Sequence, residues 1–130
     1  YGSILIQKRT KTKRLMPGIW AATGGAAIAG ETSVVAAARE LGEELGIYVD
    51  TDDLHLVKRI KRRNSFIDMW TVRANVRVPE LKLQKSEVAE AKWVNKATLA
   101  AMIESGEFHD YGKDYFNLVY GLVDKIKAEK

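Results

Sequence analysis

The segment between residues 31 and 46 constrains the fold most strongly, because it carries a helical pattern with both a start and a stop signal. Glu31-Thr32-Ser33 supplies N-cap chemistry, and Gly46 is the residue type that most often follows a helix end. One face of this segment is apolar, at positions three and four residues apart: Val34, Ala38, Leu41 and Leu45. We therefore predict a helix that runs to about residue 45 and packs on a core through that face.

A second face of the same helix is acidic. Glu40, Glu43 and Glu44 lie at i, i+3 and i+4, so their side chains are neighbours on the helix surface. Like charges at this spacing destabilise a helix by about 0.2–0.5 kcal/mol per pair. A divalent cation would relieve the repulsion, and clustered carboxylates are hard oxygen ligands that suit Mg²⁺ or Mn²⁺. The alternative interpretation is a solvated acidic face.

The residues around these glutamates extend the pattern. Gly25 is followed after five residues by Glu31, and Glu31 after seven residues by Arg39-Glu40-Leu41-Gly42-Glu43-Glu44-Leu45-Gly46-Ile47. This arrangement resembles the Nudix box, G-x5-E-x7-R-E-U-x-E-E-x-G-U with U aliphatic, at every defined position. Residues 5–9, 17–20, 23–25 and 87–94 are also similar to the family. The resemblance is to MutT-like Nudix hydrolases, within the branch of isopentenyl-diphosphate isomerase-like and broad nucleotide-hydrolase members.

The resemblance implies a role for each charged residue of the box. Glu40, Glu43 and Glu44 are the expected metal ligands. Glu43 and Glu44 are also the expected catalytic carboxylates nearest the diphosphate. Arg39 is expected to orient the glutamates through charge-assisted hydrogen bonds. Glu31 would support the preceding loop or act as an outer ligand.

Four residues outside the helix complete the predicted site. Gly24 and Gly25 let the backbone bend and approach the metal and the substrate. Glu87 matches a loop carboxylate that in some family members acts as general base or as a further metal ligand, the alternative being a plain surface residue. Arg9 ends a strand beside a loop, where it could bind a phosphate or be solvated.

Strand and helix signals alternate along the rest of the chain. Strands are predicted at residues 3–7, 20–23, 26–29, 54–63, 66–78 and 90–94, and helices at 96–104 and 111–127. Asn95 is the expected cap of the first of these helices and Gly106 its stop. The order predicts the α/β class and, with the resemblance, a Nudix fold: a helix–sheet–helix sandwich with a mixed sheet. We expect a single domain over residues 1–130 that lacks a first N-terminal strand.

Composition excludes several classes of protein. The sequence has no cysteine, which excludes a disulfide scaffold, a thiolate metal site and a cysteine nucleophile. The net charge of +4 is modest, and no domain-wide basic face of the kind found in nucleic-acid binders is present. We find neither a membrane-spanning apolar run nor a signal peptide, and expect a cytoplasmic protein.

These features predict a Mg²⁺-dependent (or Mn²⁺-dependent) hydrolase that cleaves a phosphoanhydride bond by metal-activated attack of water on phosphorus. The expected partner is a small-molecule diphosphate, a nucleoside diphosphate linked to another moiety, and a homodimer is compatible with the family. One alternative is a non-catalytic Nudix sensor that binds a nucleotide. Another is an isopentenyl-diphosphate isomerase, but catalysis in those enzymes depends on a cysteine and on histidine metal ligands, and this chain has no cysteine and only two distant histidines. Trp20 and Trp70 are favoured as core residues over base-stacking surfaces.

Overall fold

A computed structural model describes residues 3–11, 17–23, 31–61, 66–72, 74–109, 111 and 117–121. The chain forms two compact units: the terminal unit, residues 1–22 and 83–130, and the central unit, residues 23–82. The helices and strands are, in order, β1 (Ile4–Arg9), β2 (Trp20–Ala21), α1 (Ser33–Leu45), β3 (His55–Lys61), β4 (Phe66–Thr71), β5 (Val88–Val94) and α2 (Lys96–Ser105). Short 3₁₀ turns lie at Thr51–Asp53 and Val78–Glu80.

The sheet of the terminal unit has the strand order β2-β1-β5, with both pairs antiparallel. At one end of the β1–β5 pair Arg9 lies opposite Val88, just past an irregularity in the register. An isolated parallel bridge joins Trp20 to Phe108. The predicted α/β class is confirmed.

Side chains from the strands, from α2 and from the segment after α2 build the core of the terminal unit. Ile6, Val88, Leu99 and Phe108 are almost completely buried. Trp20 is buried as well, as predicted, and the Lys92 ammonium lies 4.4 Å from the centroid of its ring.

Helix α2 begins at the predicted residue and ends at Ser105, one residue later than predicted, with the predicted cap and stop. The Asn95 side chain accepts a hydrogen bond from the Thr98 N–H at 2.9 Å, which satisfies one amide of the first turn. Gly106 ends the helix in the left-handed region, at φ 84°. Both signals are local in the sequence, which is why they could be recognised without knowledge of the fold.

Helix α1 of the central unit also has the predicted caps. Thr32 Oγ1 accepts a hydrogen bond from the Val35 N–H at 3.4 Å, and Gly46 follows the last turn at φ 72°. The Lys82 N–H donates to the Leu45 carbonyl at 3.0 Å, so a returning segment closes the helix end. That segment comes so near that a Cβ on Gly46 would lie 2.8 Å from Lys82 Cβ. Gly46 is therefore required both by its φ angle and by this close approach.

Strands β3 and β4 form a two-stranded antiparallel sheet, from His55 opposite Thr71 to Lys61 opposite Phe66. The predicted second strand, residues 66–78, was too long. Its partner strand, β3, begins only at His55, because residues 51–53 form a 3₁₀ turn. His55 pairs with Thr71, so β4 has no pairing partner beyond Thr71. Pro79 then lies in the second 3₁₀ turn, where its fixed φ and missing N–H are tolerated.

The apolar face predicted for α1 is only partly the buried one. Leu45 is buried, whereas Val34, Ala38 and Leu41 are half-buried. The other buried residues of the helix are Ala36, Gly42 and Glu44. The prediction was partly wrong because a hydropathy pattern counts every glutamate as exposed.

Some predicted elements fall outside the described residues, namely the strand at 26–29 and the turn between β3 and β4 at 63–65. Of the predicted last helix, residues 117–121 are helical, whereas Tyr111, its predicted first residue, is described and is not helical. Within the described ranges, no helix is both long enough and apolar enough to cross a membrane.

Candidate metal and diphosphate site

Arg39 is the centre of the acidic cluster on α1. Its guanidinium donates from Nε to Glu31 Oε2 at 2.8 Å and from a terminal nitrogen to Glu31 Oε1 at 3.1 Å. It also donates to Glu43 Oε2 at 3.0 Å and lies 3.1 Å from Glu40 Oε1. The planar fork of an arginine suits such contacts, since its five N–H groups point in fixed directions. The structure therefore brings Glu31, Glu40 and Glu43 together around one cation.

These contacts do not neutralise the cluster. One guanidinium faces three carboxylates, which leaves a formal charge of −2 before Glu44 is counted. The pKa of Arg39 is raised above its ordinary value, chiefly by the hydrogen bond to Glu31 and further by Glu43 and the charge of Glu40. The site is thus an anionic surface with one permanent positive charge inside it.

Glu44 differs from the other glutamates because it is buried, with 6% of its surface exposed. Its Oε2 atom receives no hydrogen bond in the described part of the chain, although the residue takes part in other interactions. Placing an ionised carboxylate away from water is unfavourable unless other charges or dipoles compensate. Glu43, by contrast, keeps about half of its side chain exposed, at 48%.

The donor chemistry of the cluster fits a hard divalent cation. All four acidic side chains offer carboxylate oxygens, the ligands that Mg²⁺ and Mn²⁺ take. Within the described residues, no three acidic or histidine side chains already surround a common point. Glu31, Glu40 and Glu43 are instead directed at the guanidinium of Arg39. Coordination of a cation would therefore require at least one glutamate to turn from Arg39, and the exposed Glu43 has the freedom to do so.

Arg9 and Glu87 belong to the terminal unit, where the fold brings their backbones to the same end of the sheet. Arg9 lies opposite Val88, and the Thr10 N–H donates to the Glu87 carbonyl at 3.2 Å. The Arg9 N–H donates to the Ile19 carbonyl at 2.8 Å, which fixes the backbone where the strand ends. The roles predicted for the two side chains remain predictions. Gly24 and Gly25 lie outside the described residues.

Four residues next to the site form what we call the Ser33 cluster: Ser33, Arg59, Asp68 and Trp70. Sequence analysis gave Ser33 no role beyond the N-cap signal and Arg59 and Asp68 no role at all, and Trp70, favoured as a core residue, is only half-buried. The Trp70 Nε1–H donates to Ser33 Oγ at 2.7 Å, and the Ser33 hydroxyl bonds in turn to Asp68. Arg59 donates to both oxygens of Asp68, at 2.7 and 2.8 Å. These bonds, led by that from Arg59, lower the pKa of Asp68 to about 2. The bond between Ser33 and Trp70 joins residues 37 positions apart, so no local signal could have revealed it.

Solved structures with the same fold define the class of the protein. The DR0079 protein of Deinococcus radiodurans matches with a TM-score of 0.69 at 24% identity, over 95% of this chain and 74% of that one. A MutT structure from a study of Aliivibrio salmonicida and Vibrio cholerae matches with a TM-score of 0.63 at 24% identity, over 99% of this chain and 88% of that one. The chain therefore has the α/β Nudix fold.

The sequence comparisons identify the family. The NUDIX domain model matches residues 2–112, and the chain belongs to the Nudix family. A relative from Listeria monocytogenes, named an uncharacterized Nudix hydrolase, is 42% identical over 111 residues, which make up 85% of this chain and 66% of the relative. A second, from Listeria innocua, is 40% identical with the same coverage. The chain thus spans slightly less than two thirds of these relatives' length.

Members of the family share a general chemistry. The relatives are named hydrolases, and the Nudix family acts on substrates that contain a pyrophosphate bond. Nudix hydrolases generally use divalent metal ions. The resemblance inferred from the box is confirmed.

Proposed function

We propose that this chain hydrolyses a phosphoanhydride bond in a nucleoside diphosphate linked to another moiety, with Mg²⁺ or Mn²⁺ as its cofactor. The observation that carries the proposal is the Arg39 cluster, in which three carboxylates on and beside α1 keep a net negative charge around one guanidinium. An uncompensated anionic surface would repel a diphosphate unless cations are bound between the two.

Glu40, Glu43 and Glu44 are the residues that would hold the cation. When bound, it would supply a Lewis acid that offsets the charge of the diphosphate and makes water more acidic. Arg39 would keep its two-point contact with Glu31, so that its side chain stays fixed while Glu43 turns away. In this arrangement the arginine is a support for the ligands and does not itself need to touch the substrate.

A carboxylate of the chain must accept the proton that the attacking water loses. Glu43, Glu44 and Glu87 are the candidates. Glu43 is the most exposed carboxylate of the Arg39 cluster and can exchange protons with bulk water directly. Glu87 is the candidate offered by the terminal unit, and its backbone is held there by Thr10. Replacing each of the three by glutamine in turn identifies the base, because only loss of the base removes the proton acceptor.

The test is a phosphate-release assay on the purified protein over a panel of diphosphates, with Mg²⁺, with Mn²⁺ and with a chelator. The panel contains nucleoside diphosphates linked to a sugar, a second nucleotide or a phosphate, together with diphosphates that have no nucleoside. We expect turnover that the chelator abolishes and that is fastest with a nucleoside-containing compound. Turnover confined to diphosphates without a nucleoside would refute the substrate class.

Glu44→Gln tests the site and separates an enzyme from a sensor. We expect at least a 100-fold loss of kcat, on the order of what removing a central charged group costs, with substrate affinity retained. Glu104→Gln, a change of the same kind on an exposed residue of α2, is the matched control and should leave kcat unchanged. A wild-type protein that binds nucleotides in a metal-dependent way without turnover would instead be a non-catalytic Nudix domain.

A further inference from the structure

The hydrogen bonds of the Ser33 cluster have only one consistent direction. The indole of Trp70 can only donate, and the guanidinium of Arg59 can only donate. Ser33 has a single proton, and because its oxygen accepts the hydrogen bond from Trp70 at 2.7 Å, that proton is available to the Asp68 carboxylate, whose pKa the Ser33 hydroxyl helps to lower. Asp68, as an ionised carboxylate, accepts from Ser33 and from two nitrogens of Arg59. A chain of bonds with a fixed direction holds its members in one arrangement.

The cluster is attached to the first turn of α1. Ser33 is the first residue of the helix, Thr32 is its N-cap, and Glu31 makes the two-point contact with Arg39. Three consecutive side chains thus make contacts at the same turn, and the Ser33 hydroxyl connects this turn to Trp70 of the β3–β4 sheet at 2.7 Å. The negative charge of Asp68 is also favourable at this end of a helix, where the amide dipoles are positive.

A small change in helix direction at this first turn produces a large displacement of the carboxylates farther along the helix. Ten residues separate Ser33 from Glu43, which is about 15 Å along a helix axis. A tilt of about 5° at Ser33 would therefore move Glu43 by roughly 1.3 Å. Displacements of this size at reacting groups can lower a rate by about 100-fold.

We propose that Ser33 and Asp68, with Arg59 and Trp70, are positioning residues that set the direction of α1 and thereby the place at which its carboxylates meet a metal-bound diphosphate. The inference rests on the proposed function. It differs from a purely stabilising role, because a stabilising contact would alter the melting temperature and leave kcat as it was. Three members of the cluster lie outside the span of the box. Ser33 lies within that span, but at a position that the pattern leaves undefined.

Ser33→Ala is the decisive variant. It removes the hydroxyl while Thr32 and its capping bond stay in place. We expect kcat to fall by about 10- to 100-fold with little change in KM, as is typical when support of a metal ligand is lost. Ser33→Thr keeps the hydroxyl and should restore most of the activity.

Ser105→Ala is the matched control. Ser105 also lies at a helix end, and its hydroxyl donates its one proton to Glu107 Oε1 at 2.8 Å, with the Met102 carbonyl oxygen 3.2 Å away. The control variant should lower the melting temperature by a similar amount and leave kcat unchanged. Equal kcat in Ser33→Ala and Ser105→Ala, with an active wild-type protein, would overturn the proposal.

A structural measurement separates this proposal from the proposed function. Residual dipolar couplings of backbone amides report the direction of α1 relative to β3 and β4, and the Trp70 indole N–H resonance reports its bond to Ser33 directly. We expect Ser33→Ala to shift that indole signal and to change the helix direction, with Trp70→Phe producing the same change. If the wild-type protein has no turnover on any diphosphate, the proposed function fails, and an unchanged helix direction in both variants overturns the positioning role independently.

Discussion

Replacing Gly46 by alanine is expected to lower the free energy of unfolding by about 3 kcal/mol. A left-handed residue with a Cβ costs about 1–2 kcal/mol, and Gly46 has φ 72°. The new Cβ would also lie 2.8 Å from Lys82 Cβ and 3.1 Å from Lys82 N, and forcing such a contact costs about 1–3 kcal/mol. Alanine also reduces the conformational entropy of the unfolded chain, which offsets about 0.4–1 kcal/mol of this loss of stability.

Two other glycines separate these contributions. Gly106 also has a left-handed φ, at 84°, but no atom of the described residues lies within 4 Å of a Cβ placed there. Gly106→Ala should therefore lose only about 1 kcal/mol, the conformational cost less the gain in the unfolded chain. The difference between the two variants measures the close approach of Lys82 alone.

Gly42 supplies the opposite case. Alanine in a helix interior is favoured over glycine by about 1 kcal/mol, and Gly42 lies inside α1. Its Cβ would meet the Tyr48 ring at 2.9 Å, but that side chain is 84% exposed and can swing aside. We expect Gly42→Ala to be neutral or to stabilise by up to about 1 kcal/mol.

Urea unfolding followed by tryptophan fluorescence measures all three variants, provided that the slope of the transition stays constant. The expected order of stability is Gly42→Ala, then Gly106→Ala, then Gly46→Ala. If Gly46→Ala loses no more than Gly106→Ala, Lys82 yields without cost and the steric reasoning is wrong. If Gly42→Ala loses as much as Gly46→Ala, the Tyr48 ring is held more firmly than its exposure indicates.

Three further predictions follow from the charged and capping residues. Arg39→Lys should lower kcat by about 10- to 100-fold, because a lysine cannot make the two-point contact with Glu31; steady-state kinetics with saturating metal would contradict this by showing wild-type turnover. Asp68, with its pKa lowered to about 2, should contribute stability that is fully present above about pH 4 and is lost as the pH falls through 2. The difference in the free energy of unfolding between wild type and Asp68→Asn should therefore shrink as the pH falls from about 4 to about 2. A constant difference would refute the assignment. Asn95→Ala should cost about 1 kcal/mol in urea unfolding through loss of the α2 cap, with Asn75→Ala, an exposed position outside any helix, as the control.

The helix ends show which parts of the fold could be predicted. Thr32, Gly46, Asn95 and Gly106 act on amides or carbonyls a few residues away, so the sequence pattern contains both partners of each interaction. The end of β4 could not be predicted, because it depends on where the partner strand begins, at His55. Local signals predict local hydrogen bonds, whereas the length of a strand is a property of the pair.

The candidate site also combines features that local spacing predicts with features that depend on distant parts of the chain. The acidic face and its arginine follow from helical spacing, since Arg39 and Glu43 are four residues apart. The burial of Glu44 and the Ser33–Asp68 bond depend on elements that the spacing does not describe. Hydropathy averages treat both as solvated polar residues, and so they fail where a polar side chain is buried.

The arrangement around Arg39 also explains how an acidic helix can persist before any cation is bound. Each glutamate loses up to about 1.5–2 kcal/mol of rotamer entropy when it is held in place. Contacts with one guanidinium already restrict Glu31, Glu40 and Glu43, so part of that ordering precedes metal binding. Because three carboxylates face one guanidinium, a net charge of −2 remains, and this restraint would order the proposed ligands without removing their attraction for a second cation. A lysine at the same position could neutralise one charge but could not hold three carboxylates in fixed directions.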